Sequence, residues 1–358
     1  MDSGPDVSRG ARRGITVGGV RIGAGADVTV QSMTNTKTAD VEATSAQIDR
    51  LRDAGCDIVR VAVPDVESAR AIARLKKRCG IPIVADVHFD YRLAIEAARS
   101  GADKIRINPG NIGGAERVRA VAECCRQRGI PIRIGVNGGS LEREMLRRYG
   151  GATARALAES ALRQAEELRA CGFEDICLSV KSSDVRVTVD AYRLLHSLCD
   201  YPLHLGVTEA GTEHCGVIKS SVGIGALLCE GIGDTIRVSL TAPPEREVKA
   251  GIAILKAAGL RAGGVEIISC PTCGRTNVDL MSLVRDVETR LRGMTGDMTV
   301  AVMGCAVNGP GEARAADYGI ACGEGAGVVF KKGEVVARAP AERLADELVT
   351  VIASSSPQ

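Results

Sequence analysis

Gly55-Cys-Asp57-Ile-Val-Arg60, Gly101-Ala-Asp103-Lys-Ile-Arg106 and Gly233-Asp234-Thr-Ile-Arg237 are three copies of one short pattern. Each opens with a Gly, which suits the left-handed cap that ends a helix. An Asp follows, then a short apolar run that carries an Arg. Such a run reads as a strand, so the pattern marks the passage from helix to strand. A second kind of entry alternates with it: Gly80-Ile-Pro-Ile83 and Gly129-Ile-Pro-Ile132 are near copies, and Pro202 begins a third. Pro at a first strand position gives up no ladder bond.

Outward from these marks the chain alternates between strand-like and helix-like patterns. Strands are expected at 28–33, 57–63, 82–87, 104–107, 131–136, 175–180, 203–207 and 235–240, with helices such as 41–54, 66–79, 152–171, 215–230 and 245–258 between and after them. Strands and helices in that order and number suit a (β/α)8 barrel, with alternate strands filling its interior layers. A doubly wound open sheet is the rival architecture. Thr16 to Ile22 reads as a hairpin turning at Gly18-Gly19.

After Thr241-Ala-Pro243-Pro244 and one more helix the pattern changes. A strand at 264–269 runs into Cys270, a helix is expected at 279–291, and a strand at 299–303 runs towards Cys305. A hairpin at 327–336 and a closing helix at 339–352 complete about 100 residues of mixed α and β, a usual domain size. The expected architecture is therefore α/β. A disordered tail (1–13) precedes an N-terminal TIM-type barrel (14–260), and a small α+β domain (261–358) follows.

Composition removes several classes of function. The net charge of +2 and the 2% aromatic content argue against nucleic-acid binding by charge or by stacking. No run reaches the ~18 apolar residues of a membrane span, and the N-terminus shows no secretory pattern. Thirteen cysteines then suggest a reducing cytoplasm. Cys56, Cys79, Cys124, Cys125, Cys171, Cys177, Cys199 and Cys229 lie in apolar or helical patterns and read as small buried hydrophobes.

In such barrels chemistry gathers at the C-terminal strand ends. There the sequence offers Arg60, Asp86 and His88, Arg106 and Asn108, Arg133 and Asn137, Lys181, Glu209, and Arg237 with Ser239. Cations converging on one mouth repel unless an anion joins them, and Arg forks suit phosphate oxygens. The loops Asn108-Pro-Gly110-Asn-Ile-Gly113-Gly114 and Asn137-Gly138-Gly139-Ser140 add backbone amides ahead of helices. A phosphate or diphosphate ligand is expected, with Glu209 as a lone carboxylate able to act as acid, base or acceptor.

A metal centre is expected in the second domain. Cys270-Pro-Thr-Cys273 sets two thiols three positions apart, and Cys305 adds a third in a Gly/Pro-rich turn. Zinc and an iron–sulfur cluster are both compatible with such a set. Cys322 and Glu312 both remain open as fourth ligand. A carboxylate is the harder and more exchangeable of the two.

These segments together resemble the bacterial 4-hydroxy-3-methylbut-2-enyl diphosphate synthases, over residues 13 to 350. The segments are Ile105-Arg-Ile-Asn108-Pro-Gly110-Asn-Ile-Gly113, Gly135-Val-Asn137-Gly-Gly-Ser-Leu141, Leu205-Gly-Val-Thr-Glu209-Ala-Gly211, Ile236-Arg-Val-Ser239-Leu, Cys270-Pro-Thr-Cys273 and Gly304-Cys305-Ala-Val-Asn-Gly-Pro-Gly-Glu312. The resemblance implies an iron–sulfur oxidoreductase of the short two-domain form. It would reductively open and dehydrate 2-C-methyl-D-erythritol 2,4-cyclodiphosphate in the non-mevalonate isoprenoid route. Reduced flavodoxin or ferredoxin would supply electrons through a 4Fe-4S cluster.

By the same resemblance Cys270, Cys273, Cys305 and Glu312 would hold the cluster. Arg60, His88, Arg106, Arg133, Asn137, Lys181, Arg237 and Ser239 would hold the diphosphate, with Glu209 over the reacting carbons. A head-to-tail homodimer is also implied. One departure is visible: Ala242-Pro243-Pro244 stands where an acidic residue is expected. The alternative reading is a phosphate-binding barrel lyase or transferase with a structural zinc domain.

Overall fold

The computed structural model describes residues 12–294, 296–305 and 315–355. They fall into two compact units, divided between Arg261 and Ala262.

The first unit opens with a hairpin, β1 (Gly14–Val17) and β2 (Val20–Gly23). Eight parallel strands follow: β3 (Thr29–Met33), β4 (Ile58–Ala62), β5 (Ile83–Asp86), β6 (Lys104–Ile107), β7 (Ile132–Asn137), β8 (Ile176–Lys181), β9 (His204–Leu205) and β10 (Thr235–Ile236). They lie side by side in the order β8-β7-β6-β5-β4-β3-β10-β9. The remaining gap closes where Leu178 pairs with Leu203 and its N–H donates to Pro202 O at 2.9 Å. The sheet is thus a closed barrel and not the doubly wound rival.

The helices between and after the strands are α1 (Val41–Asp53), α2 (Val66–Arg78), α3 (Tyr91–Arg99), α4 (Pro109–Ile112), α5 (Ala115–Arg128), α6 (Arg143–Tyr149), α7 (Ala154–Arg169), α8 (Val185–Leu198), α9 (Glu213–Cys229) and α10 (Pro244–Ala257). β9 and β10 are shorter than the expected 203–207 and 235–240. The ladder still runs one bond further, from Arg237 N to Leu205 O.

The Gly-x-Asp repeat has a physical function. Gly55, Gly101 and Gly233 all take positive φ, a conformation that favours glycine. Each Asp then accepts a backbone N–H from a neighbouring strand: Asp57 from Val30, Asp103 from Ile83 and Asp234 from Leu203, at 2.7 to 2.8 Å. The three carboxylates pin the barrel's lower rim, and three residues on each run delivers its Arg.

The hairpin closes the floor. Ile15, Val17 and Ile22 pack on Ile58, Val84 and Cys177 inside the barrel. The first eleven residues of the expected tail lie outside the described residues, and its last two, Arg12 and Arg13, are anchored. Arg12 is buried and donates to Cys199 O and Tyr201 O, and Arg13 pairs with Asp200. Of the eight cysteines read as buried, Cys56, Cys125 and Cys177 are so, while Cys229 is exposed.

The second unit is a five-stranded sheet in sequence order: β11 (Gly264–Ser269), β12 (Asp297–Met303), β13 (Tyr318–Cys322), β14 (Ala326–Lys331) and β15 (Glu334–Pro340). The first three are parallel and the rest antiparallel. Helices α11 (Leu280–Leu291) and α12 (Leu344–Ser355) supply Leu280, Val287, Leu291, Leu344, Leu348 and Ile352 to its core. β13 was missed from sequence. α12 begins five residues later than expected because Ala339 and Pro340 belong to β15. No helix among the described residues is long and apolar enough to cross a membrane.

Candidate active site and thiol edge

Strand alternation aims Arg60, Arg106, Arg133 and Lys181 into the barrel, where all four are buried. Asp86, at the end of β5, is the counter-ion that Arg60 and Arg106 share. It accepts from Arg106 Nη1 at 3.0 Å, and it lies 3.6 Å from Arg60 Nε and 3.4 Å from His88 Nε2. Against the upward push of its own burial, Arg60, His88 and Arg106 hold its carboxyl well below the usual range. Arg60 also rests on the Met33 sulfur, with Nε at 3.1 Å. Arg237 leans on Glu247 of α10 at 3.4 Å. Glu247 is buried, and it also accepts from Leu240 N and from the Ser32 hydroxyl.

Arg133 and Lys181 have no such partner among the described residues. Arg133 is 1% exposed, and its Nε and Nη1 make no hydrogen bond among the described residues. Burial first, and then Arg106, brings its pKa down to about 10. Lys181 is pushed well down by burial and then by Arg133, Arg60, Arg237 and Arg106. Among the described residues, five cations therefore share the upper part of the barrel with two carboxylates, Asp86 and Glu247. Such a set is complementary to a compact polyanion.

The placement corrects one expectation. Arg133 does not stand at a strand end. It is the second residue of β7, level with Arg106 of β6. The long β7 runs four residues past it to Asn137. Gly135 between them leaves room for Arg106, since a Cβ there would stand 2.7 Å from Arg106 Nε.

Asn137 lines an open cleft of about 450 Å³ with Gly138, Gly139, Ser140, Ser182, Ser183, Thr208 and Glu209. Glu209 holds φ +51, a strained backbone for a residue with a side chain. His88 is half-exposed at the lip beside an exposed Phe89, and its Nε2 lies 3.1 Å from Arg106 Nη1. Ser239 is half-buried just past β10. Asn108 is buried, with Oδ1 unpaired among the described residues. His204, unplaced from sequence, points inward, fully buried.

Two participants were missed from sequence. Glu247 lies in the first turn of its helix, where an acidic residue is ordinary and carries no sign of an inward role. Lys104 stands two residues before Arg106 and therefore on the same strand face, which was the available signal.

In the second unit the thiols share one sheet end. Ser269 pairs with Val302, and Met303 with Ala321, so Cys270, Cys305 and Cys322 all stand where three adjacent parallel strands finish. Gly304 N donates to Cys270 Sγ at 3.2 Å. Burial, then Cys270 and Cys305, raises the Cys322 thiol to about 11. Cys273 is exposed, and its thiol is lowered first by the Arg275 backbone N–H and also by the Thr276 hydroxyl. Glu312 lies outside the described residues. Among the described residues no three metal-ligating side chains are gathered closely enough for an ion. The donors nonetheless fit a thiolate-held cluster: soft sulfurs from two turns at one sheet end, with a backbone N–H already directed at one of them.

Fold and site define a TIM-barrel enzyme for a phosphorylated small molecule, joined to a domain with a thiol-rich edge. The family models GcpE TIM-barrel domain and GcpE protein C-terminal domain match residues 12–252 and 266–354. A relative from Caldanaerobacter subterraneus subsp. tengcongensis is 56% identical over 95% of this chain and 96% of its own length. It is named 4-hydroxy-3-methylbut-2-en-1-yl diphosphate synthase (flavodoxin). A relative of the same name from Ruminiclostridium cellulolyticum is 54% identical, over 97% of this chain and 98% of its own. Among solved structures, a truncated 3-deoxy-D-arabino-heptulosonate 7-phosphate synthase from Thermotoga maritima aligns with TM-score 0.52 at 14% identity. It covers 70% of this chain and 94% of that one, a likeness of fold alone.

The chain belongs to the 4-hydroxy-3-methylbut-2-en-1-yl diphosphate synthase family, whose members are 4Fe-4S oxidoreductases. With that membership the zinc-domain lyase alternative falls away.

Proposed function

We propose that this chain reductively opens the ring of 2-C-methyl-D-erythritol 2,4-cyclodiphosphate. The reaction takes up a pair of electrons and the accompanying protons, releases water and yields 4-hydroxy-3-methylbut-2-enyl diphosphate. The observation that carries the reading is the charge imbalance in the barrel: Arg60, Arg106, Arg133, Lys181 and Arg237 against Asp86 and Glu247. A buried excess of cations is costly until an anion relieves it.

Arg133 and Lys181, which have no counter-ion among the described residues, take most of the diphosphate charge. Arg60 and Arg106 are held by Asp86, and Arg237 by Glu247, so their forks are oriented before the ligand arrives. His88, Asn137 and Ser239 hydrogen-bond the remaining oxygens. Glu209, on the wall of the cleft that Asn137 shares, serves the reacting carbons as proton donor or charge stabiliser. Cys270, Cys273, Cys305 and Glu312 would hold the 4Fe-4S cluster, which when bound supplies electrons one at a time.

Flavodoxin, which the relatives' names specify, is the electron donor, and ferredoxin is the substitute. The working form is a cytoplasmic head-to-tail homodimer in which one chain's cluster domain covers the other's barrel mouth.

The test is anaerobic purification followed by iron and sulfide analysis and turnover of the cyclic diphosphate with reduced flavodoxin. About four irons and four sulfides per chain, with turnover, are expected. Zinc without sulfide, or a loaded cluster with no turnover, would overturn the reading.

A further inference from the structure

Lys104 opens β6 and, like Arg106 two residues on, points into the barrel. It is fully buried, and its Nζ has no hydrogen-bond partner among the described residues. The reaction proposed above does not use it. Val84 of β5 lies beside it, and the apolar floor of Ile15, Val17 and Ile22 packs on that same Val84. The charged or titratable groups around it are Arg60 on β4, Asp86 on β5, Arg106 on its own strand, Arg133 on β7, Cys177 on β8 and His204 on β9. Asp86 among them is already engaged with Arg106 and His88, and Asp234 at the rim, which acts on Cys177, holds the Leu203 N–H.

For stability alone an apolar residue would serve better here. An unpaired buried charge is penalised, and neighbouring arginines add repulsion. The position is nevertheless a lysine, one inward-facing layer below Arg106 and Arg133.

We infer that Lys104 is a binding residue that acts without contact: its ammonium adds, from beneath Arg133, to the field that holds the substrate's diphosphate. The inference rests on the diphosphate reading above. Inside the barrel, water and salt screen such a charge weakly, so it is felt across a layer of side chains. Burial above all brings the Lys104 pKa down to about 8; Cys177 opposes the shift, and Arg133 and Arg60 add to it. A seated diphosphate reverses part of that shift, so binding in mildly alkaline solution takes up a proton. Lys181, whose pKa burial also lowers, shares the chamber, and the Lys104 share is therefore read as a difference between variants.

The experiment uses the full-length, cluster-loaded chain without reductant, so that ligand binds but is not turned over. Calorimetric titration with the cyclic diphosphate and with inorganic pyrophosphate, in buffers of differing ionisation heat, gives both affinity and proton uptake. Lys104→Met and Lys104→Gln should unfold at higher temperature, bind both ligands about tenfold more weakly, and take up fewer protons than the parent. Variants that bind like the parent with unchanged uptake would overturn the inference. So would variants that lose affinity and thermal stability together, since that pattern marks a structural lysine. A parent chain that binds neither ligand would instead sink the diphosphate reading on which the inference stands.

Discussion

The barrel interior and the thiol edge of the second unit solve the same problem in opposite ways. In the barrel the charged groups are already assembled. A closed parallel sheet fixes each Cα, and Asp86 and Glu247 hold three of the five cations. At the thiol edge the sheet brings Cys270, Cys305 and Cys322 to one end, yet no close ligand group forms among the described residues. The first site is organised by the fold and bears the repulsion in advance. The second is brought together by strand register: three adjacent parallel strands finish at the same end, each delivering a thiol there.

The sharpest way to break this comparison is to remove one of the cluster ligands proposed above. Cys305→Ser and Glu312→Ala should each abolish turnover while the barrel keeps its pyrophosphate affinity, checked by iron and sulfide content beside a binding titration. Retained iron and full turnover would show that the ligand set is wrong. Next in size is Arg133→Ala, which should raise the apparent KM by about 10- to 100-fold, the worth of a charge-assisted hydrogen bond. The cluster's absorption spectrum should be unchanged. An unaltered KM would remove Arg133 from the anion site.

Glu247→Gln tests whether preassembly matters. Arg237 would lose its counter-ion but remain a cation, and a loss of about tenfold in kcat/KM is expected, with little change in iron content.

pH offers a milder probe of the same repulsion. The Lys104 pKa lies near 8 in the folded chain. An unfolded lysine keeps its proton to ~10.4. Across that window the unfolded chain binds more protons, so the ligand-free protein should gain stability as pH rises from 8 and lose it as pH falls back. Saturating pyrophosphate should flatten this trend in thermal melts. The smallest effect is reserved for the barrel's rim: Asp103→Asn weakens the bond to Ile83 N and the pair with Lys76. It should cost about 1 to 2 kcal/mol of unfolding free energy and leave KM untouched.

Much of the barrel was legible because its signals are local. Gly for a left-handed cap, Asp for a free strand N–H and Pro at a first strand position all act within a few residues. β6 was expected at 104–107 and lies there. β13 escaped because a short apolar run has no period of its own, and the buried end of that strand is Cys322. The inward cations were visible as residues but not as a layered set. Arg133 was read as a strand-end group, whereas it lies at the base of β7 under Gly135.

By itself the sequence determined the alternation of strands and helices, the family, and the thiols and cations available for chemistry. Those follow from residue type and spacing along one chain. Only the tertiary structure decided which charges meet. Asp86 serves Arg60, Arg106 and His88 together; Glu247 reaches back to Arg237 and Leu240; Lys104 and Arg133 are left without a partner among the described residues. The reason is geometric. Barrel closure and shear set which inward residues share a layer, and no local spacing rule contains that information.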